Sequence, residues 1–214
     1  MMKPEEIEAL FTRADGSYAF ARWGRPIAPI VFGVQDDTLA TLKGAIEAVA
    51  VLAGHQMAET DPELGSNLMF FFFREWEELL QVPDLERLIP GLSDLVGRLQ
   101  AAGANQYRAF RFDADHAIQA AFVFLRMDDQ LSDMPAETLA LSQAAQVMLL
   151  WGEQAFADRS PLAVLPDTGA TILRPEIAGV IAAAYDRMMP VAAQDASHAL
   201  RLFARLQGPV GEPG

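Results

Sequence analysis

The sequence contains no cysteine, and this absence excludes several kinds of site. Disulfides, thiolate zinc centres and cysteine nucleophiles all need the thiol group. Histidine is scarce as well, with His55, His116 and His198 the three residues of this type. No two of them have the i, i+4 spacing that places two imidazoles side by side on a helix. The HExxH motif of metalloproteases is therefore absent, and we expect neither a metal nor another cofactor.

Positive charge is also in short supply, because 16 lysines and arginines face 29 aspartates and glutamates, for a net charge of −13. Such a chain repels phosphate groups, so we expect no nucleic-acid partner and no electrostatic attachment to a membrane. The apolar runs AIEAVAVLAG and NLMFFFF are far shorter than the roughly 20 residues that cross a bilayer. The N-terminal MMKPEEIEALFTR lacks the apolar core of a signal peptide. We therefore expect a cytoplasmic protein.

The chain does have enough apolar material for a full hydrophobic core, with 51% apolar residues in 214. The pattern changes along its length. Residues 1–152 predict a mixture of strands and helices, whereas residues 153–214 predict mainly helices. The simplest partition is one domain with an α+β core in 1–152 and a helical C-terminal subdomain in 153–214.

Within the core, the β-branched stretch 25–34 predicts a strand, and its two prolines favour a sheet edge or a strand start. A helix follows from Asp36 or Asp37 and is closed by Gly54. The run 67–73 has no polar alternation and predicts a strand buried on both faces. Residues 74–103 predict helices interrupted by prolines.

Residues 107–112 and 118–127 predict an antiparallel hairpin around an aspartate-rich turn. Pro135 then begins a long helix, predicted over 135–151 and ended by Gly152. Residues 153–173 look irregular, and two further helices follow. The order predicts an α+β fold with a mixed sheet of about four strands packed on helices.

Some polar side chains are candidates for a non-metal catalytic site if the fold brings them together: Gln143, Gln146, Glu153 and His116. No Gly-x-Ser-x-Gly turn or Gly-x-Gly phosphate loop accompanies them. They are equally compatible with surface positions. An enzyme of unknown reaction is therefore one of the open alternatives.

Several segments together resemble an uncharacterised bacterial family of zincin-like domains, which have a metalloprotease-type fold. These segments are RWGRPIAPIVFG, NLMFFFF, AAFVFLRM and AQVMLLWG. The resemblance places Ala145 and Leu149 at the positions of the two zinc-ligating histidines and Gln146 at that of the catalytic glutamate. Alanine and leucine offer no lone pair, and an amide does not act as a general base near neutral pH. The resemblance thus implies a degenerate site without zinc.

The same resemblance implies a non-catalytic domain that binds a protein or peptide. The strand before the active-site helix is an open edge in zincins, and here that strand would be 117–125, where an extended peptide adds by backbone hydrogen bonds. The alternatives are that this edge is covered by the protein's own loops or by a second copy of the chain. A homodimer through the C-terminal helix, with Phe203 on its apolar face, would make the protein a structural or oligomerisation module.

Overall fold

The computed structural model describes residues 2–207, which form an α+β fold around a four-stranded mixed sheet. The helices are α1 Pro4–Ala9, α2 Asp36–Leu52, α3 Leu85–Leu88, α4 Leu92–Ala101, α5 Asp129–Ser132, α6 Ala136–Val147, α7 Pro175–Ala184 and α8 Ser197–Gln207, with a 3₁₀ helix at Trp76–Gln81. The strands are β1 Phe20–Ala21, β2 Pro29–Phe32, β3 Leu68–Phe73, β4 Gln106–Phe112, β5 Ile118–Arg126, β6 Leu162–Val164, β7 Thr171–Leu173 and β8 Ala192–Ala193.

The central sheet has the strand order β2-β3-β5-β4. Strands β2, β3 and β5 are parallel, and β4 pairs antiparallel with β5 as the predicted hairpin. This confirms the predicted mixed sheet of four strands. The edges are β2, which begins at Pro29 as its prolines predict, and β4.

The prediction that 117–125 forms an open edge is wrong, because β5 lies between β3 and β4. Almost every β5 side chain is buried, and its backbone groups are paired on both sides. An apolar run without polar alternation is typical of such an interior strand. The open edge at this end of the sheet is β4, the preceding strand of the hairpin.

Helices cover both faces of the sheet, as the run NLMFFFF predicts. Phe70 of β3 belongs to a core cluster shared with α2 and α6, whereas Phe71 belongs to a second cluster shared with the 3₁₀ helix, α3 and α4. Consecutive side chains of a strand point to opposite faces, so β3 is buried on both sides. The first cluster also includes residues of α1, α7 and α8, which means that the segment after residue 153 shares the core of the segment before it.

The predicted helix 135–151 is shorter than expected, since α6 ends at Val147. Side chains from elsewhere bind the free carbonyls at this end: Trp23 Nε1 donates to the Val147 oxygen at 2.8 Å, and the Tyr185 hydroxyl donates to the Met148 oxygen at 2.8 Å. The chain then turns to pair with the N-terminal segment, because Leu150 N donates to the Ala21 oxygen at 2.9 Å. Tertiary hydrogen bonds therefore end a helix that its apolar pattern would continue.

The segment 153–173 is also more regular than predicted, because it contains the small β6–β7 hairpin. Its strands have three residues each, which is too short for an alternating pattern to stand out in the sequence.

Candidate functional site

A cleft of about 890 Å³ lies between the edge strand β4, helix α6 and the segment 150–161. Gln106, Arg108 and Phe110 of β4 line it, as do Ser142 and Gln146 of α6. The alternation of the strand places the three β4 side chains on the same face, over α6. This cleft brings polar side chains from separate parts of the chain to one concave surface.

Arg108 is the most unusual group of the cleft, because the residue is partly buried and its Nε is enclosed by protein. Its Nη2 donates to Oε1 of Gln143 at 2.6 Å and to Oε1 of Gln106 at 3.1 Å. Gln143 Nε2 in turn donates to Gln106 Oε1 at 2.9 Å, which closes a polar network between β4 and α6. The Nε of Arg108 is buried and has no hydrogen-bond partner among the described residues.

The charge of Arg108 is not neutralised by the protein. No carboxylate of residues 2–207 lies within 4.0 Å of its nitrogen atoms. Burial alone lowers the pKa of Arg108 to about 10, since desolvation penalises the cation. The side chain still carries its proton at neutral pH, so the cleft contains a partly buried cation whose hydrogen bonds within residues 2–207 go to two neutral amides.

Apart from Asp158, the other charged residues that line the cleft are in ion pairs. Arg13 Nη1 lies 3.1 Å from Glu153 Oε1, and Arg159 Nη2 lies 2.6 Å from Glu176 Oε1. Glu153 also accepts from the backbone N–H of Ala14 at 3.1 Å. Backbone hydrogen bonding at Glu153 itself, together with Arg13, lowers the pKa of Glu153 below its usual range. Glu153 is therefore an ionised partner of Arg13 rather than a proton donor at neutral pH.

Helix α6 contributes Ser142 and Gln146 to the cleft wall. Gln146 is half-buried, and its Nε2 donates to Ser142 Oγ at 3.0 Å. The fully buried amide of this helix is Gln143, which is 1% exposed. Gln146, about one helical turn further along α6, faces the cleft instead.

The positions taken for degenerate zinc ligands do not face this cleft. Ala145 and Leu149 are both 0% exposed in the main core. Leu149 lies beyond the end of α6 and forms a β-bridge with Arg22. The expectation that the two residues share one helix face, as i and i+4 ligands must, is therefore wrong. The two α6 residues with that spacing that do line the cleft are Ser142 and Gln146.

Of the four candidate catalytic residues, the fold brings three to this region. Gln146 and Glu153 line the cleft, and Gln143 lies beneath it, bound to Arg108. His116 does not line it: the residue is exposed in the turn between β4 and β5, with a φ of 61°. The cleft therefore brings together the other three residues and not His116, which lies in the hairpin turn.

Strand β4 presents an open backbone edge beside these side chains. Arg126 N donates to the Asn105 oxygen at 2.8 Å, and the same register pairs Tyr107 with Phe124 and Ala109 with Phe122. Since N–H and C=O groups alternate sides along an antiparallel strand, Arg108 and Phe110 point theirs away from β5. Within residues 2–207, no other strand pairs with that side of β4.

A second, smaller cavity of about 280 Å³ lies at the carboxyl ends of the parallel strands, between α2 and α6. Its walls are mostly apolar, with Leu42, Phe72 and Leu139 among them, and include no ionisable side chain of the described residues. Across residues 2–207, no three His, Asp or Glu side chains form a group that could hold a metal ion. In the same range, no helix combines the length and apolar character needed to cross a membrane.

Sequence reasoning missed Arg108, although a signal for it is present. The strand QYRAFRF alternates, which places Arg108 on the same face as Phe110, a residue that packs against the main core. A charged residue on an otherwise core-facing side of a strand indicates a special position. Neither the partner Gln143, 35 residues away, nor the lack of a carboxylate follows from the local pattern.

No protein-family model, curated protein or solved structure matches the chain.

Proposed function

We propose that the protein is a non-catalytic binding domain that takes an extended peptide segment along the free edge of β4. The observation that carries this proposal is the open edge of β4 bordering the cleft. An extended peptide satisfies unpaired N–H and C=O groups of an edge strand by adding to the sheet, and side-chain pockets then give specificity. The cleft supplies such a pocket beside the edge.

Exposed edge strands carry a risk of aggregation, and proteins usually shorten, cover or charge them. β4 has seven residues, and the segment 150–161 stands across the cleft from it without pairing. A gap of about 890 Å³ remains between the two. An added strand along β4 would cover this edge.

The polar groups of the cleft are poorly suited to acid–base catalysis. The amides of Gln106, Gln143 and Gln146 do not transfer protons at neutral pH. Glu153 is ionised and engaged by Arg13. These side chains are better suited to binding and orienting a ligand than to acting as a general acid or base.

The zincin-like family remains a prediction from the sequence, and it agrees with this proposal in one respect. In that fold the peptide lies between an edge strand and the active-site helix. β4 and α6 border the cleft in the corresponding way, with Gln146 on the helix side. In the comparison with zincins, the α6 positions that face the cleft are Ser142 and Gln146 rather than Ala145 and Leu149.

The proposal is tested by selecting binders from a random heptapeptide library displayed on phage, with the full chain immobilised. Each enriched peptide is then synthesised in two forms, N-methylated at odd or at even positions. Strand addition predicts that one form loses binding at least tenfold while the other retains it, because alternate N–H groups face the partner strand. Failure to enrich any peptide, or equal tolerance of both methylation patterns, would contradict strand addition.

A further inference from the structure

We infer that Arg108 forms a built binding site for a carboxylate group at the floor of the β4 cleft. The carboxylate completes the hydrogen bonding of a guanidinium that the protein leaves half-satisfied. The inference deepens the proposed function, on which it rests for the source of the carboxylate, namely the bound peptide.

Arg108 leaves most of its N–H hydrogen-bond donors without an acceptor among residues 2–207. A guanidinium has five N–H donors in a planar fork. Nη2 is the donor in both hydrogen bonds that Arg108 makes to side chains. Nε is buried without a partner, whereas Nη1 has no hydrogen bond among the described residues and is not buried. Nη1 therefore offers its donors to a carboxylate that enters from the cleft, beside the buried Nε.

A partly buried charge without a counter-ion is energetically costly. Such cations are usually paired, because desolvation is otherwise not offset. Gln106 and Gln143 hold the guanidinium by their oxygens, which fixes its orientation while leaving its charge in place. A side chain fixed in this way is preorganised to bind an anion.

The charges around the cleft favour a carboxylate over a phosphate as the bound anion. Arg13 and Arg159, the other arginines at the cleft, are already paired with glutamates. Glu153 and Asp158 also line the cleft, and the chain as a whole is strongly acidic. A phosphate with up to two negative charges meets one free cation and repulsion from these carboxylates. A singly charged carboxylate matches Arg108, the one cleft-lining arginine without a carboxylate partner among residues 2–207.

The position of Arg108 in β4 connects this site to an added strand. The backbone N–H and C=O of Arg108 point to the open edge, and its side chain points to the α6 face. A residue of the added strand opposite Arg108 would place its side chain on that same face. An aspartate or glutamate side chain, or the C-terminal carboxylate of a peptide that ends there, reaches the guanidinium from this position.

The test follows the side-chain Nε–H resonance of Arg108 by NMR in the full chain. The probes are N-acetylglycine, which mimics a terminal carboxylate, N-acetylglutamic acid α-amide, which mimics a side-chain carboxylate, and inorganic phosphate. We expect saturable shifts of this resonance with at least one of the two carboxylates, and weaker binding of phosphate. The stronger carboxylate identifies its source. Tighter binding of phosphate, or no shift with either carboxylate, would overturn the inference.

The variants are Arg108→Gln and, as a matched loss of one positive charge, Arg98→Gln on the exposed side of α4. Arg108→Gln should lose carboxylate binding at least tenfold, measured on the backbone amides of β4, while Arg98→Gln binds as the wild type does. Arg108→Gln should also keep or raise the melting temperature, because it removes an uncompensated buried charge. A large fall in melting temperature that Arg108→Lys restores would show that the charge at this position stabilises the fold, and it would count against a binding role for Arg108.

Failure of this site and failure of the proposed function are distinguishable. Peptides that show the alternating N-methyl effect but bind equally well with glutamine in place of each acid would leave strand addition standing and remove the carboxylate site. Carboxylate probes that bind at Arg108 while no peptide pairs with β4 would leave the carboxylate site standing and remove strand addition.

Discussion

Gly152 occupies a position where a side chain has no room. A Cβ atom there would lie 2.3 Å from the backbone oxygen of Thr12, and backbone atoms at this contact do not move aside easily. We predict that Gly152→Ala lowers the free energy of unfolding by about 1–3 kcal/mol, the usual cost of overpacking. Gly97→Ala is the control: nothing lies within 4 Å of the added carbon on exposed α4, and Ala should stabilise the helix by about 0.5–1 kcal/mol. Urea unfolding compares both; equal effects would refute the steric explanation.

His198 is buried, and its Nδ1 lies 2.8 Å from the Tyr18 hydroxyl. Burial, and to a smaller extent Arg201, lowers its pKa from 6.5 to about 4 in the folded protein. The unfolded chain therefore takes up the proton first as the pH falls. The stability contribution of neutral His198 is complete above pH 6.5 and is lost toward pH 4, by about 1–3 kcal/mol.

The measurement for His198 is the free energy of unfolding of wild type and His198→Leu at pH 7.5 and 4.5. The wild type should lose more stability than the variant between the two values. His116→Asn, which changes an exposed histidine at a positive φ that asparagine tolerates, should follow the wild type. A pH dependence unchanged in His198→Leu would contradict the assignment.

At the scale of elements, the C-terminus of α6 is held by side-chain donors from distant segments. Tyr185→Phe removes the hydroxyl that donates to the Met148 oxygen and accepts from the Trp23 backbone N–H, so we predict a loss of about 1–2 kcal/mol in unfolding free energy. Tyr107→Phe is the matched control, since the Tyr107 hydroxyl makes no hydrogen bond within residues 2–207. Thermal unfolding should separate the two variants; a Tyr185→Phe protein as stable as the control would show that the carbonyl is satisfied by other donors.

The elements that local sequence pattern predicts well are those whose boundaries are also local. Prolines and glycines bound β2, α2 and the helices after β3, and the alternation of QYRAFRF predicts β4. The end of α6 could not be predicted this way, because Trp23 and Tyr185 supply its capping from 124 and 37 residues away. The same holds for the site. The predicted helix identifies Gln146 as a candidate, but its position beside Arg108 depends on the order of strands in the sheet, which local sequence patterns do not determine.

At the scale of the whole molecule, one core joins the early and late parts of the chain. Phe11 of the N-terminal segment, Ala144 of α6 and Leu202 of α8 belong to the same buried cluster. We predict that residues on both sides of position 153 unfold together. Tryptophan fluorescence and far-UV circular dichroism should give coincident urea transitions; a separate early transition of the C-terminal helices would contradict a shared core.

The central claim, that the free edge of β4 receives a peptide strand, is tested most directly by amide hydrogen exchange with and without a selected heptapeptide. In the free protein, the amides of Tyr107 and Ala109 should be protected by β5, while those of Arg108 and Phe110 exchange quickly. Bound peptide should slow exchange at Arg108 and Phe110 at least tenfold and change Tyr107 and Ala109 little. Unchanged exchange at Arg108 and Phe110 in the saturated complex would contradict the claim.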